Sequence, residues 1–539
     1  MSTRSDAPAP LSTWSTLRIP LFRALWIATV ASNIGTWMHD VGAGWLMTSL
    51  APSPLMVALV QAATTLPVFL LAFPAGALAD VVDRRRYLIA TQCWMLMVAA
   101  ALGALTLSGL INAGWLLALT FALGVGTALM MPAWAALYPD VVPRDHLQSA
   151  VALNSMGMNV SRAIGPALAG VIVAASGPGM VFALNALSFL GVIAVLWSWK
   201  RAPRASHLPA ERFLGALRAG FRYVRHAPPL QRVLVRGAAF FVFASATWAF
   251  LPLVARQELS GGAALYGWLV ACIGVGAVAG AVVLPKIRAR VSRDRMVAGA
   301  TVVFAACAVA LAFVRDVPAL SVAMLAAGAA WIAAMSSFQM AAQMALPDWV
   351  RARGLAAFMV VFMGGMAAGS ALWGQAAEWL GIPWALTLAA AGALLGVAAT
   401  WRVGIGGHDR LDLTPSVHWP PLVTSGAEGR GPVLVLIEYR VDAADAAAFV
   451  AEMSELARAR RRDGAYVWGL FRDTDDPARF IEQFQVESWE EHLRQHHRVT
   501  HADREVEERA NRFHRGDAPP VVTHAIAARP EPDGESGPA

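Results

Sequence analysis

A chain of 539 residues with 57% hydrophobic and only 15% charged residues, and a mean hydropathy of +0.52, is too apolar for an ordinary soluble protein. Residues 430–539 hold 15 Lys and Arg against 21 Asp and Glu, so of the net +7 a surplus of 13 positive charges belongs to residues 1–429. Basicity on the apolar part suits loops beside a bilayer and excludes nucleic-acid binding. The three cysteines (Cys93, Cys272, Cys307) lie in apolar blocks without metal-ligand or disulfide spacing.

The N-terminal tail, residues 1–20, is polar and Pro/Ser-rich with no cleavable signal peptide, so the first hydrophobic helix carries targeting. Breaks in hydropathy then place helices at 22–49, 55–79, 87–109, 113–138, 147–175 and 179–199. A second set follows at 233–255, 264–285, 296–314, 318–345, 352–380 and 382–402. About 20 apolar residues at a rise of about 1.5 Å cross a hydrocarbon core of about 30 Å. The predicted class is therefore an all-α polytopic membrane protein of twelve transmembrane helices, in six-helix halves over 21–200 and 233–402.

Between the halves, residues 201–232 form a basic loop whose stretch Phe213 to Tyr223 is amphipathic and could lie on the membrane surface. Arginines recur after helices two, four, six, eight and ten, whereas Leu50 to Pro54, Ser176 to Gly179 and Gly381 to Pro383 carry no Lys or Arg. By the positive-inside rule the protein is a multi-pass protein of the cell inner membrane with both termini cytoplasmic. After a Pro/Gly-rich linker at 403–432, residues 433–528 read as strand, helix, strand, strand, helix, strand, the order of a small cytoplasmic α+β ferredoxin-like domain. The strands fall at 433–441, 465–472, 479–487 and 520–527, the helices at 443–462 and 489–513, and a disordered tail follows at 529–539.

Two motifs stand out. Gly76-Ala-Leu-Ala-Asp80-Val-Val-Asp83-Arg84-Arg85-Arg86 follows helix two. Gly76 would permit close helix approach, Asp80 can accept hydrogen bonds from a neighbouring helix N-terminus, and the arginines sit at headgroup level. Such a cluster can latch one of two conformations; the plainer reading is that the arginines only enforce topology. In helix five, Ser161-Arg162-Ala-Ile-Gly165-Pro166-Ala-Leu-Ala169-Gly170 combines small residues for tight packing with a proline that frees a backbone carbonyl. Ordinary packing and a gating kink are both open readings.

The first motif resembles the loop motif of the major facilitator superfamily, with Asp83 where many members have Gly and Val81 where many have a basic residue. The second resembles the antiporter motif of its exporters. Asn33-Ile-Gly35-Thr36-Trp37, Pro132-Ala-Trp134, Ala150 to Asn154 and Leu184-Asn185-Ala-Leu-Ser188-Phe189 resemble the enterobactin-exporter-like branch. This likeness covers nearly all of residues 20–402. It implies a secondary active exporter of a small amphiphilic metabolite, siderophore-like or drug-like, working by alternating access and by proton coupling. The arginine that many proton-coupled members carry in helix four is absent: Thr120-Phe-Ala-Leu123-Gly124 stands there. Importer, and membrane-anchored sensor or enzyme with the C-terminal domain as active module, are the rival readings. The chain has no GxxxxGK[ST], which argues against direct ATP drive.

Asp40, among Trp37, Val41 and Trp45, is the candidate coupling or substrate residue, because an ionisable group within a membrane helix faces a cavity or a partner. It could carry a proton, meet a cationic substrate, or pair with Arg162. His39, Arg236 and Glu378 complete the intramembrane ionisable set, with Arg236 and Glu378 read as interfacial. The tail resembles antibiotic-biosynthesis-monooxygenase-like dimers, which implies a homodimer through the C-terminal domain; Leu434, Leu436, Trp468 and Leu470 would form its apolar face. His492/His496 and His497/His501 make two i,i+4 pairs, but no carboxylate or Cys completes a set, so a solvated face is read. Neither catalytic residue, cofactor nor metal is assigned. The partners are a small-molecule substrate and the lipid bilayer.

Overall fold

The computed structural model describes residues 13–135, 137–199, 213–406, 411–420 and 431–528. The expectations for the first 12 residues, for most of the central loop, for much of the linker and for the tail at 529–539 fall outside these residues. The chain forms two compact units, one of residues 1–209, 233–340 and 356–406 and one of 210–232, 341–355 and 407–539.

The long helices are α1 (Pro20–Leu50), α2 (Pro54–Val81), α3 (Arg84–Leu107) and α4 (Ala113–Ala135). After the short α5 (Tyr138–Val141) come α6 (Leu147–Ser176), α7 (Pro178–Ser198) and the amphipathic α8 (Phe213–His226). Then follow α9 (Pro228–Leu253), α10 (Ala263–Arg288), α11 (Arg293–Phe313), α12 (Val317–Met344), α13 (Arg351–Leu380) and α14 (Ile382–Ala399). Among the described residues, 11 helices are long and apolar enough to cross a membrane. The twelfth, α1, has 31 residues but is diluted by Arg23, Asn33, His39 and Asp40.

The chain ends reveal why the helices stop where they do. Proline occupies the first turn of α1, α2 and α7, where its missing N–H costs nothing. Gly177 and Gly381, at φ of 78° and 83°, reverse the chain between α6 and α7 and between α13 and α14. In the first half α1 packs on α6 and α7, α2 on α4, and α3 on α4 and α7. In the second half Phe240, Phe241, Trp331, Phe338 and Phe362 interlock in edge-on and tilted pairs.

The second unit holds β1 (Val433–Arg440), α15 (Ala446–Asp463), β2 (Val467–Arg472), β3 (Arg479–Val486), α16 (Trp489–Arg498), α17 (His501–Asn511) and β4 (Val521–Ile526). The sheet order is β2-β3-β1-β4, every neighbour antiparallel. Alternate residues Val433, Val435, Ile437 and Tyr439 bury one face of β1 against the helices, with Phe480, Phe484 and Val486 from β3.

Three expectations need correction here. The helix foreseen over 489–513 is two helices, broken at Val499, because Thr500 and Asp503 form a capping box that starts α17 afresh. The break is lined by the preceding segment: Ser416 N donates to Val499 O (2.9 Å) and His501 N to Thr414 O (3.1 Å). His497 and His501 therefore do not share a helix. Second, Trp468 and Leu470 pair with Phe484 and Glu482 and pack on the inner core, whereas Leu434 and Leu436, opposite Gln485 and Gln483, face outward. Third, α8 does not present its whole apolar side to a membrane surface. Tyr223, 2% exposed, donates to Ala345 O (3.2 Å), and its ring meets Trp349 edge-on at 5.7 Å. Arg222 of α8 pairs with Glu491 of α16 at 3.2 Å, and Arg498 stacks on Trp349 at 4.5 Å.

Candidate functional site

The turn joining α2 to α3 carries the first motif. Asp83 is the N-cap of α3, accepting from Arg86 N at 3.0 Å, which supplies a reason for Asp at a place where the superfamily often has Gly. Arg84 pairs with Asp140 of α5 at 3.3 Å. Arg85 donates through Nε to Leu196 O (2.9 Å) and through a terminal nitrogen to Trp197 O. These are orphan carbonyls at the C-terminus of α7, where a cation also meets the negative end of the helix dipole. Arg86 is exposed. The Asp80 side chain lies outside the described residues. Gly76 does not serve a close approach here, since a Cβ at that position would meet nothing within 4 Å.

The second motif sits in a seam. A Cβ at Gly165 would lie 2.6 Å from Trp37 Cβ of α1, and one at Gly170 would lie 3.0 Å from Ala263 O and Gly267 Cα of α10. The partner helix answers with glycines of its own: a Cβ at Gly267 would meet Gly170 Cα and Pro166 O at 2.6 Å, and one at Gly274 would meet Arg162 O at 2.6 Å. The backbones of α6 and α10 thus touch across the two halves, as small residues permit in membrane helices. A second seam joins α2 to α13, where Gly374 stands 2.8 Å (as a Cβ) from Ala58 Cβ and Gly364 2.6 Å from Phe69.

Beside the first seam, Arg162 lies over the Trp37 ring at 5.3 Å, and its Nε has no hydrogen-bond partner among the described residues. Asp40, one turn along α1, is half-buried and within electrostatic reach of Tyr266 of α10. Tyr266 also stacks on Trp45 at 6.3 Å. His39 points away, buried against Phe182 with a ring separation of 5.0 Å. Thr120, at the place of the family arginine, is buried, and Gly124 presses α4 onto Pro67 of α2.

Sequence reasoning missed a clasp at the arginine-poor end. Glu378 of α13 accepts from Ser53 Oγ and from Leu55 N (3.2 Å), placing an anion at the N-terminus of α2. Arg256, in the single π-turn after α9, donates to Thr48 Oγ1 (2.9 Å) and to Ser49 Oγ at the C-terminus of α1, and lies over Trp45 at 5.3 Å. The available signal was that Arg256 and Glu378 are charges on a side otherwise nearly free of them. Arg236, read as interfacial, is 3% exposed and pairs with Asp294 in the first turn of α11, which also accepts from Ile405 N (2.9 Å) and Gly406 N (3.0 Å).

In the second unit, Arg460 reaches Glu482 (3.1 Å) and Glu507 inside the sheet–helix core. Trp468 Nε1 donates to Glu482 (2.9 Å), and Trp419 Nε1 to Glu507 (3.0 Å). Burial alone would raise the Glu507 carboxyl, but Arg460 and the donors His418 and Trp419 bring it down to about 2. His492, His496 and His524 come together, a set hidden from sequence because His524 lies on a different element. Burial, reinforced by the neighbouring imidazoles, lowers His492 to about 3 and His496 to about 4.

Two six-helix halves closing on glycine seams are the architecture of a membrane transporter of major facilitator type. Residues 11–531 match the transmembrane secretion effector family of that superfamily, and the chain belongs to it. It is 25% identical over 257 residues to the staphyloferrin A transporter of Staphylococcus aureus (47% of this chain, 64% of that one). It is 26% identical over 269 residues to an MFS-type transporter of Bacillus subtilis, covering 48% of this chain and 63% of the relative. The chain thus spans a little under two thirds of the length of these curated relatives. Among solved structures, an inward-facing, occupied bacterial homologue of the human lysosomal transporter Spinster superposes with a TM-score of 0.58 at 14% identity, over 72% of this chain and 96% of that one. An inward-facing bacterial homologue of ferroportin gives 0.54 at 16% identity, over 71% and 98%. These last two likenesses are of fold.

Proposed function

We propose that the protein exports a small amphiphilic metabolite, siderophore-like or drug-like, across the cell inner membrane by alternating access, with both termini cytoplasmic. One observation carries the reading. Among the described residues, the close approaches and hydrogen bonds between the halves run from mid-bundle to the arginine-poor end, through the α6–α10 and α2–α13 seams and the Arg256 and Glu378 clasp. A bundle closed at that end loads substrate from the arginine-rich, cytoplasmic side, and rocking of the halves about these seams delivers it outward.

In this reading Arg84, Arg85, Arg86, Asp83, Asp80 and Gly76 latch the cytoplasmic face, and Gly165, Pro166 and Gly170 form the sliding seam. Asp40 is the proton carrier or cation contact. The likeness to the staphyloferrin A transporter of S. aureus supports a siderophore-like cargo, and the enterobactin-exporter-like motifs support efflux. The β2-β3-β1-β4 order supports a ferredoxin-like tail, whose outward face, with Leu434, Leu436 and the exposed Val467 and Phe471, would pair two copies.

The test compares metabolites in culture medium from cells with and without the protein. A compound should disappear from the medium and accumulate in cells when the protein is lost. Proton-driven uptake of that compound into inside-out vesicles should then require the protein; uptake only into right-side-out vesicles would make it an importer.

A further inference from the structure

We propose that His492, His496 and His524 form a binding site for one divalent transition-metal ion in the C-terminal domain. Their candidate ligand nitrogens all lie within 4.8 Å of one another. His492 and His496 are one helical turn apart on α16, with ring centroids 4.9 Å apart. His524 arrives from the edge strand β4: its pairing with Val435 of β1 turns it to the inner face, where its ring stands 4.9 Å from that of His492. Imidazole nitrogens about 2.0–2.1 Å from a tetrahedral zinc would lie roughly 3.4 Å from each other, so side-chain rotation of about 1 Å closes the set.

The state of His492 distinguishes a site from mere ring packing. It is 1% exposed, its Nδ1 faces Gln495 Oε1 at 3.2 Å, and its Nε2 has no partner among the described residues. A hydrogen bond from Nδ1–H to an amide oxygen holds the tautomer in which Nε2 keeps its lone pair, the same arrangement that orients metal-bound histidines. A buried bare nitrogen is costly unless something completes it. Trp489, 5.7 Å from His492 and 6.0 Å from His524, and Trp419, 4.8 Å from His496, wall the set with aromatic surface. Three imidazoles without thiolate or carboxylate select borderline ions such as Zn²⁺, Co²⁺ or Ni²⁺ over Mg²⁺ or Ca²⁺.

The experiment uses the full-length chain without a polyhistidine tag, purified in detergent, stripped by chelator and titrated with Co²⁺. One equivalent should bind per chain with the visible absorption of low-coordinate cobalt, be displaced by Zn²⁺, and raise the melting temperature. H496Q and H524Q, at half-buried rings, should each weaken binding at least tenfold while their metal-free melting matches wild type. H497Q, at an exposed ring outside the set, should bind as wild type does. Absence of stoichiometric binding by the wild-type chain, or undiminished binding by the H496Q/H524Q double variant, overturns the proposal. A fall in metal-free melting confined to H496Q leaves H524Q, on the edge strand, as the deciding variant.

Discussion

Replacing Gly267 by Ala adds one methyl at the tightest part of the α6–α10 seam. Its Cβ would lie 2.6 Å from both Gly170 Cα and Pro166 O, backbone atoms that no rotamer change can remove. Ordinary contact needs about 3.4–4 Å, so the two helices must part by roughly 1 Å, with loss of packing for every residue along the seam. Overpacking of this kind costs about 1–3 kcal/mol. If that cost falls on the conformation closed at the arginine-poor end, the equilibrium moves toward the opposite state by roughly 5–150-fold. A cysteine introduced at Ala263, 4% exposed beside the seam, reports the shift. Its labelling by an impermeant maleimide from the arginine-poor side should accelerate by that factor, and turnover should fall while membrane insertion is preserved. Gly299→Ala in α11 is the control, because its methyl meets nothing within 4 Å and should leave labelling and turnover as they were. Unchanged labelling and turnover in Gly267→Ala would refute the argument that this seam is a closed gate.

Glu378→Gln keeps the shape of the clasp on α2 but removes the anion from its N-terminus, a loss of about 0.3–1 kcal/mol, so the same maleimide assay should report a shift of roughly two- to fivefold. Asp40→Asn should retain substrate affinity and lose gradient-driven efflux in reconstituted vesicles; both quantities unchanged would make Asp40 a structural residue. Glu507, held at about 2 against an ordinary 4.5, contributes stability that is complete above pH about 4.5 and lost as pH falls toward 2. That shift corresponds to at most about 3 kcal/mol, and hydrogen exchange around Trp419 should rise across this acid window in wild type but not in Glu507→Gln. Glu482→Leu strips Arg460 and Trp468 of a shared acceptor at a fully buried position, and should lower the stability of the C-terminal domain by about 3–5 kcal/mol in thermal melts.

Much of the architecture was legible because a bilayer imposes a local rule. A helix must bring about 20 apolar residues in a row, and its flanking arginines need no distant partner to be read. Eleven spans, the polar central segment and the β-rich tail follow from that rule and from the alternation in Val433–Arg440. Gly165, Pro166 and Gly170 were also visible, since a small-residue stripe is itself a local pattern.

Their partners were not visible. Gly267 and Gly274 sit about a hundred residues away, and only the packed halves show that α10 and not another glycine-bearing helix faces α6. Glu378 and Arg256 acquired a role only when the α1–α2 turn was brought between them. Trp468 and Leu470 changed faces because a strand's register, set by β3, decides which alternate residues point inward. The break at Thr500 came from a capping box reinforced by a segment folding back from residues 411–420. His524 joined His492 and His496 only through the pairing of β4 with β1. Sequence alone determined the elements governed by the solvent around them, because water and lipid act on each residue where it stands. Tertiary structure decided every contact that joins two such elements, because close packing and hydrogen bonding depend on which surfaces meet.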